Sequence, residues 1–126
     1  MRTVIFIAIL SLCFASCARS FRTAEQFLDE IEARLETQPD SAFIALDSLD
    51  RSLLGTKELR ARHALLYSQA LEKCGIEIYN DSIILIALDY YASIGDSENT
   101  QKARACLDRI NENASMLAPS DTLKIQ

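Results

Sequence analysis

From Thr23 onward, apolar residues recur every three or four positions through almost the whole chain, and that spacing predicts α-helix. In Thr23–Gln38 the set Ala24, Phe27, Leu28, Ile31 and Leu35 follows i, i+3, i+4, i+7 and i+11, with charged residues on the other face. Pro39 ends this helix, and Asp40-Ser41 reads as the cap of a second, which runs to about Asp50 with Ala42, Ala45, Leu46 and Leu49 inward. A loop, Arg51–Thr56, carries Gly55. The third helix spans Lys57–Cys74, with Leu59, His63, Leu66, Tyr67, Ala70, Leu71 and Cys74 as its inner set, and Gly75 stops it. Ile76–Tyr79 reads as an apolar loop tucked against the stack.

Asn80-Asp81-Ser82 caps a fourth helix that runs to Ile94. Ile83, Ala87, Tyr90 and Ile94 form one stripe on it and Ile84, Leu88 and Tyr91 another, a width that predicts burial on two sides. Gly95-Asp96 ends it. A fifth helix, about Glu98–Ala114, places Ala103, Cys106, Leu107 and Ile110 on one face, and residues 116–126 read as a flexible tail. Three glycines and two prolines are too few for the turns of a sandwich or barrel, and 49% apolar residues exclude a disordered chain. The expected fold is therefore all-α, one helical domain over residues 23–115. Eighteen acidic against thirteen basic residues, a net charge of −5, exclude nucleic acid as the expected partner, because phosphate binding needs a basic surface.

Residues 1–16 read as an address rather than as fold. Met1-Arg2-Thr3 is a positively charged start, and Val4–Phe14 is a continuous run of apolar and small residues. As a helix it spans on the order of 16 Å, about half the hydrocarbon core of a bilayer, which fits an export signal and is short for an anchor. The stretch Phe14-Ala15-Ser16-Cys17 resembles the lipobox of bacterial lipoproteins, in the looser Bacteroidetes form, with phenylalanine where leucine is usual. The resemblance implies cleavage before Cys17, lipidation of its thiol and acylation of the new amino terminus by palmitate-like chains. A lipid-anchored linker over residues 17–22 would follow. Two or three acyl chains, at about 0.8 kcal/mol per buried methylene, hold a protein stably on a membrane.

Ala18-Arg19-Ser20 lacks the acidic cluster that resembles a surface-export signal in such lipoproteins. The expected location is the cell envelope of a Gram-negative bacterium, on the periplasmic side of the outer or inner membrane. Cys13 leaves with the signal and Cys17 is acylated, so Cys74 and Cys106 remain. They read either as two small buried hydrophobes or as a disulfide, which an oxidising periplasm permits and spacing does not decide.

Ile-Ala-Leu-Asp occurs twice, at Ile44–Asp47 and Ile86–Asp89, an offset of 42 residues, and each copy lies in the second helix of a helical hairpin. Periods of this size point to a helical solenoid, whose hairpins bury their apolar faces by stacking. The mature region resembles the tetratricopeptide-repeat class. Ala64 and Tyr67 match the small residue and tyrosine of a first repeat helix, Ala87 and Tyr91 the alanine and aromatic of a second, and Gly95-Asp96 an inter-repeat turn. Together with the lipobox, Gln38–Ala42, Lys57–Arg62, Ala64–Tyr67, Asn80–Ser82 and Asp89–Tyr91, the chain is similar over about residues 1–110 to the N-terminal part of Bacteroidetes tetratricopeptide lipoproteins. The resemblance implies a short right-handed stack of helical hairpins. Relatives usually continue with more repeats, so a truncated or minimal member is also expected.

No motif carries recognisable catalysis. His63 is the single histidine and falls on an inner stripe, so it reads as a half-buried, hydrogen-bonded residue. No metal-ligand spacing and no Gly-rich phosphate loop occurs, and Glu30/Glu32 and Asp47/Asp50 read as solvated helix faces. The expectation is no enzyme and no cofactor. Tyr67, Tyr90 and Tyr91 are candidates to grip a peptide in a groove between hairpins, and Arg60 and Arg62, with Lys57, to hold a carboxylate. Asp40-Ser41-Ala42, Asp47-Ser48-Leu49, Asp81-Ser82-Ile83 and Asp121-Thr122-Leu123 resemble the O-glycosylation motif of exported Bacteroidetes proteins, and Thr122 is the best-placed acceptor. The expected function is a lipid-anchored, non-catalytic module binding an unknown protein partner. The alternative is the N-terminal sensory fragment of a longer envelope regulator. An open apolar face on the fifth helix would favour self-association.

Overall fold

Local chemistry sets the helix ends of this chain. The computed structural model describes residues 24–124, with side chains described through residue 117; residues 1–23, and with them Cys17, lie outside this range. Helix α1 covers residues 24–34, α2 Pro39–Ser48, α3 Lys57–Lys73, α4 Ser82–Ser93 and α5 Ser97–Lys124, with a 3-10 turn at Arg51–Leu53. Among the described residues there is no strand.

Thr56 Oγ1 accepts from the Leu59 amide at 3.1 Å and starts α3, while Asp96 Oδ1 accepts from the Asn99 amide at 3.1 Å and starts α5. Asn80 Oδ1 accepts from the Ser82 amide at 2.8 Å ahead of α4. Gly75 and Gly95 follow α3 and α4 at φ +73° and +74°, the left-handed conformation that closes a helix. The start of α2 differs from the sequence expectation. Asp40-Ser41 is not its cap: Gln38 is, and Pro39 is the first helical residue. At that position a missing amide hydrogen loses nothing, because the first turn has no acceptor for it.

Two apolar clusters form the core. Ala24, Leu28, Ile31 and Leu35 pack with Ala42 and Leu46 of α2, with Leu54, and with Leu59, Leu66 and Ala70 of α3. Ala61, Ala64 and Leu65 of α3 pack with Ile84, Ala87 and Tyr91 of α4 and with Ala103, Cys106 and Ile110 of α5. α3 is therefore shared by both clusters, and α4 packs on two sides, as its apolar width predicted. The main neighbours of α4 are α3 and α5, which leaves Ile86 50% and Ile94 55% exposed. Successive helices pack on one another as a stack of helical hairpins.

The fifth helix turns its apolar residues inward. From Ser97 to Ser115 its exposed positions are polar or alanine, and its exposed large apolar residues are Met116 and Leu117. Among the described side chains, the open apolar face expected of it is limited to these two residues. The helix also extends past Ala114 and past Pro119, through the segment read as a tail, to Lys124. The Ile76–Tyr79 loop docks only by Ile78, which packs on the second cluster, while Ile76 and Tyr79 stay about half exposed. Cys74 and Cys106 are both free thiols, Cys106 buried and Cys74 half-buried. Among the described residues no helix is long and apolar enough to cross a membrane.

Candidate interaction cleft

The sequence-derived binding residues divide into two groups. Arg62 and Tyr91 belong to the fold. Arg62 Nη2 on α3 donates to Glu32 Oε2 at 2.7 Å and to Asp29 Oδ1, tying α3 to α1. Tyr91 is buried in the second cluster with its ring edge-on to Tyr90, centroids 5.4 Å apart. Burial holds the Tyr91 phenol above its ordinary pKa, so it stays protonated.

Tyr67 stands between the two roles. Its ring packs on Phe43 at 5.6 Å and stacks on His63 at 5.8 Å, and its hydroxyl donates to Asp47 Oδ1 at 3.2 Å. Burial first, and that hydrogen bond second, raise its pKa. Its remaining surface lines a cleft of about 120 Å³ between α3, α4 and the α2–α3 connection. Arg51 and Leu54 enter from the connection, Arg60, His63 and Ala64 from α3, and Ile83 and Ile86 from α4. A second hollow of about 250 Å³ adjoins it, sharing Arg60 and Ile86 and adding Lys57, Asp89, Tyr90 and Ser93. Arg60 and Tyr67 are thus brought to one surface and Arg62 and Tyr91 to another, with Tyr90 reaching both.

Charge pairing marks this surface out. Among the described residues Arg34, Arg62, Lys73, Lys102 and Arg109 all form ion pairs within the chain. Arg51, Lys57, Arg60 and Arg104 do not, and the first three line the cleft and its adjoining hollow. Arg60 Nη1 donates to the Leu54 carbonyl at 3.4 Å, which steadies the guanidinium at the rim. Sequence reasoning missed Arg51, Ile83 and Ile86 as site residues. The available signal was Ile86 itself, an apolar residue lying off both inward stripes of its helix.

His63 contributes a wall of the cleft. Its Nε2 faces the Leu46 carbonyl oxygen at 3.0 Å, and a carbonyl only accepts, so Nε2 carries the hydrogen. Among the described residues no buried side-chain nitrogen or oxygen lacks a partner, so His63 Nδ1, which has none, is reached from solvent.

A third cavity, of about 210 Å³, lies between the end of α3, the 75–78 loop and α5, with Glu72, Cys106, Arg109 and Asn113 in its wall. Burial, and then the Glu72 carboxylate, push the Cys106 thiol up to about 11, which keeps it protonated and poorly nucleophilic. Arg109 is already paired with Glu72 at 3.3 Å, and Asn113 Nδ2 donates to the Ile78 carbonyl at 3.1 Å. These groups close the structure. Among the described residues no three or more His, Cys, Asp or Glu side chains cluster in a way that could hold a metal ion.

No family model, no curated protein and no solved structure matches this chain. The lipobox and tetratricopeptide resemblances stand on the residues that carry them. Cys17 lies outside the described residues, and Thr122 falls in α5 beyond the described side chains.

Proposed function

We propose that this chain is a non-catalytic protein-interaction module, anchored by acylated Cys17 on the periplasmic side of a Gram-negative envelope membrane and related to tetratricopeptide lipoproteins. The observation that supports the interaction reading is the α3–α4 cleft, where three cations without ion pairs surround an apolar floor. A fold that, among the described residues, satisfies its other cations internally, Arg104 apart, and leaves these three at one cleft has a surface suited to an external anion. The Phe14–Cys17 stretch supports the anchor.

Both halves are testable in the native envelope. A photo-crosslinking residue placed at Ile86 of the tagged full chain is expected to give a discrete adduct with another protein, and the same residue placed at Arg34 is expected to give none. Labelling with an alkyne palmitate analogue is expected to mark the wild type and not Cys17→Ala. Absence of any adduct would favour the alternative reading, a sensory fragment that needs further repeats to bind. Absence of label would refute the anchor.

A further inference from the structure

We infer that the α3–α4 cleft receives one aliphatic side chain of a partner peptide, flanked by carboxylates that pair with Arg51, Lys57 and Arg60. The inference rests on the interaction-module reading and specifies the chemistry of its partner.

Three observations lead to it. The first is charge. The chain is acidic overall, at −5, yet Asp89 is the one carboxylate lining either hollow, against three cations. A local positive field on an acidic protein selects acidic ligands and repels further copies of the average surface. The second is size. Beside the hollow of about 250 Å³ that carries Lys57 lies the apolar one, of about 120 Å³. It has room for a single branched side chain, and its floor of Leu54, Ala64, Ile83 and Ile86 is apolar.

The third concerns the chain's own remaining segments. Residues 1–23 and 125–126 contain no aspartate or glutamate, and the first of them carries Arg2, Arg19 and Arg22. Their side chains do not match the charge of the cleft, so these segments are not its occupant. A flat anionic bilayer would meet the cations at the rim but leave the recessed apolar floor unfilled. A peptide satisfies both, with an aliphatic anchor inside and acidic residues outside.

The test uses the purified full chain in detergent micelles and a displayed library of random short peptides. Winning peptides are expected to carry leucine, isoleucine or methionine flanked by aspartate or glutamate. By fluorescence anisotropy, synthetic winners should lose about tenfold or more in affinity towards Arg60→Glu and Lys57→Glu, and when their own acidic residues become amides. Arg104→Glu, on α5 away from the cleft, should leave affinity unchanged. Circular dichroism melts of each variant separate lost binding from lost fold. Winners without acidic residues, or indifferent to the two cleft variants, would overturn the inference and leave the interaction module standing. Enrichment of nothing would overturn both. Binding to vesicles containing phosphatidylglycerol but not to phosphatidylcholine vesicles, lost in Arg60→Glu, would overturn it in favour of a membrane-facing surface.

Discussion

His63 Nε2 on α3 donates to the carbonyl oxygen of Leu46 at 3.0 Å, closing the C-terminal end of α2 from a neighbouring helix. The last four carbonyls of a helix have no intrahelical partner. In α2 the Ser48 hydroxyl satisfies Ala45 at 3.2 Å, and His63 satisfies Leu46. Replacing His63 by leucine leaves a buried carbonyl without a donor. The expected cost is about 1–3 kcal/mol in urea unfolding. His63→Gln, which keeps a donor, should recover part of it.

Arg62 is expected to matter for stability rather than for binding. Its pairs with Asp29 and Glu32 join α3 to α1, but both carboxylates are largely exposed. Arg62→Met should therefore cost only about 0.5–1 kcal/mol, and a double-mutant cycle with Glu32→Gln should give a coupling that shrinks in high salt. Crosslinking from Ile86 should be unaffected. Loss of the crosslink in Arg62→Met with an unchanged melting curve would return Arg62 to the binding surface.

The two thiols should react differently with iodoacetamide. With the Cys106 pKa at about 11, roughly one thiol in a thousand is ionised at pH 8; Cys74 is also raised, by burial and then by the Asp40 carboxylate, but it is the more exposed of the two and should be modified first. Glu72→Gln removes the carboxylate that accepts from the Cys106 thiol at 3.8 Å and should lower that pKa. Stability follows with a definite sign. The raised folded-state pKa contributes stability that is complete below an unfolded cysteine value of about 8.5 and is lost as pH rises towards about 11. Tyr67 and Tyr91, also raised, act in the same direction at higher pH. Melting temperatures measured from neutral to strongly alkaline pH should fall progressively.

Alanine at Gly75 and at Gly55 should have opposite effects. A methyl group meets nothing within 4 Å at either position, so sterics with neighbours do not decide. Gly75 has φ +73°, where an L-residue costs about 1–2 kcal/mol. Gly55 has no such conformation, and alanine there should be neutral or stabilise by about 0.4–1 kcal/mol through the unfolded chain. Thermal melts of the two variants provide the comparison.

Much of the helix pattern was legible in the residues because its causes are local. Ala24, Leu28, Ile31 and Leu35 repeat at helical spacing and are buried together. The span of α3 was read to within one residue, since Gly75 supplies a stop that needs no tertiary context. The start of α2 was misread because Asp-Ser is a frequent cap and Pro a frequent stop, whereas here one proline opens the helix. The two-sided packing of α4 was legible, since Ile84, Ala87 and Tyr91 are buried against α3 and α5. What its apolar width did not reveal is that Ile94, on one inward stripe, and Ile86, off both, stay about half exposed.

The candidate site was only partly legible. Arg60, Tyr67 and Tyr90 were singled out from residue type and do line the two adjoining hollows. Arg62 was singled out on the same grounds, yet it sits two residues from Arg60, on a different face of α3. Whether an arginine is consumed by the fold depends on which helix lies opposite, and that is a long-range fact.

Sequence alone determined the elements: helical periodicity placed five helices, and glycine or proline punctuated them, because backbone preference and amphipathic spacing act within a few residues. Tertiary structure decided which faces met. It made α3 the shared helix of two cores, gave Leu46 its donor in His63, paired Arg62 with α1 and left Arg51, Lys57 and Arg60 around an apolar cleft. Those outcomes depend on contacts between residues far apart in the chain, and no local pattern encodes the partner across the gap.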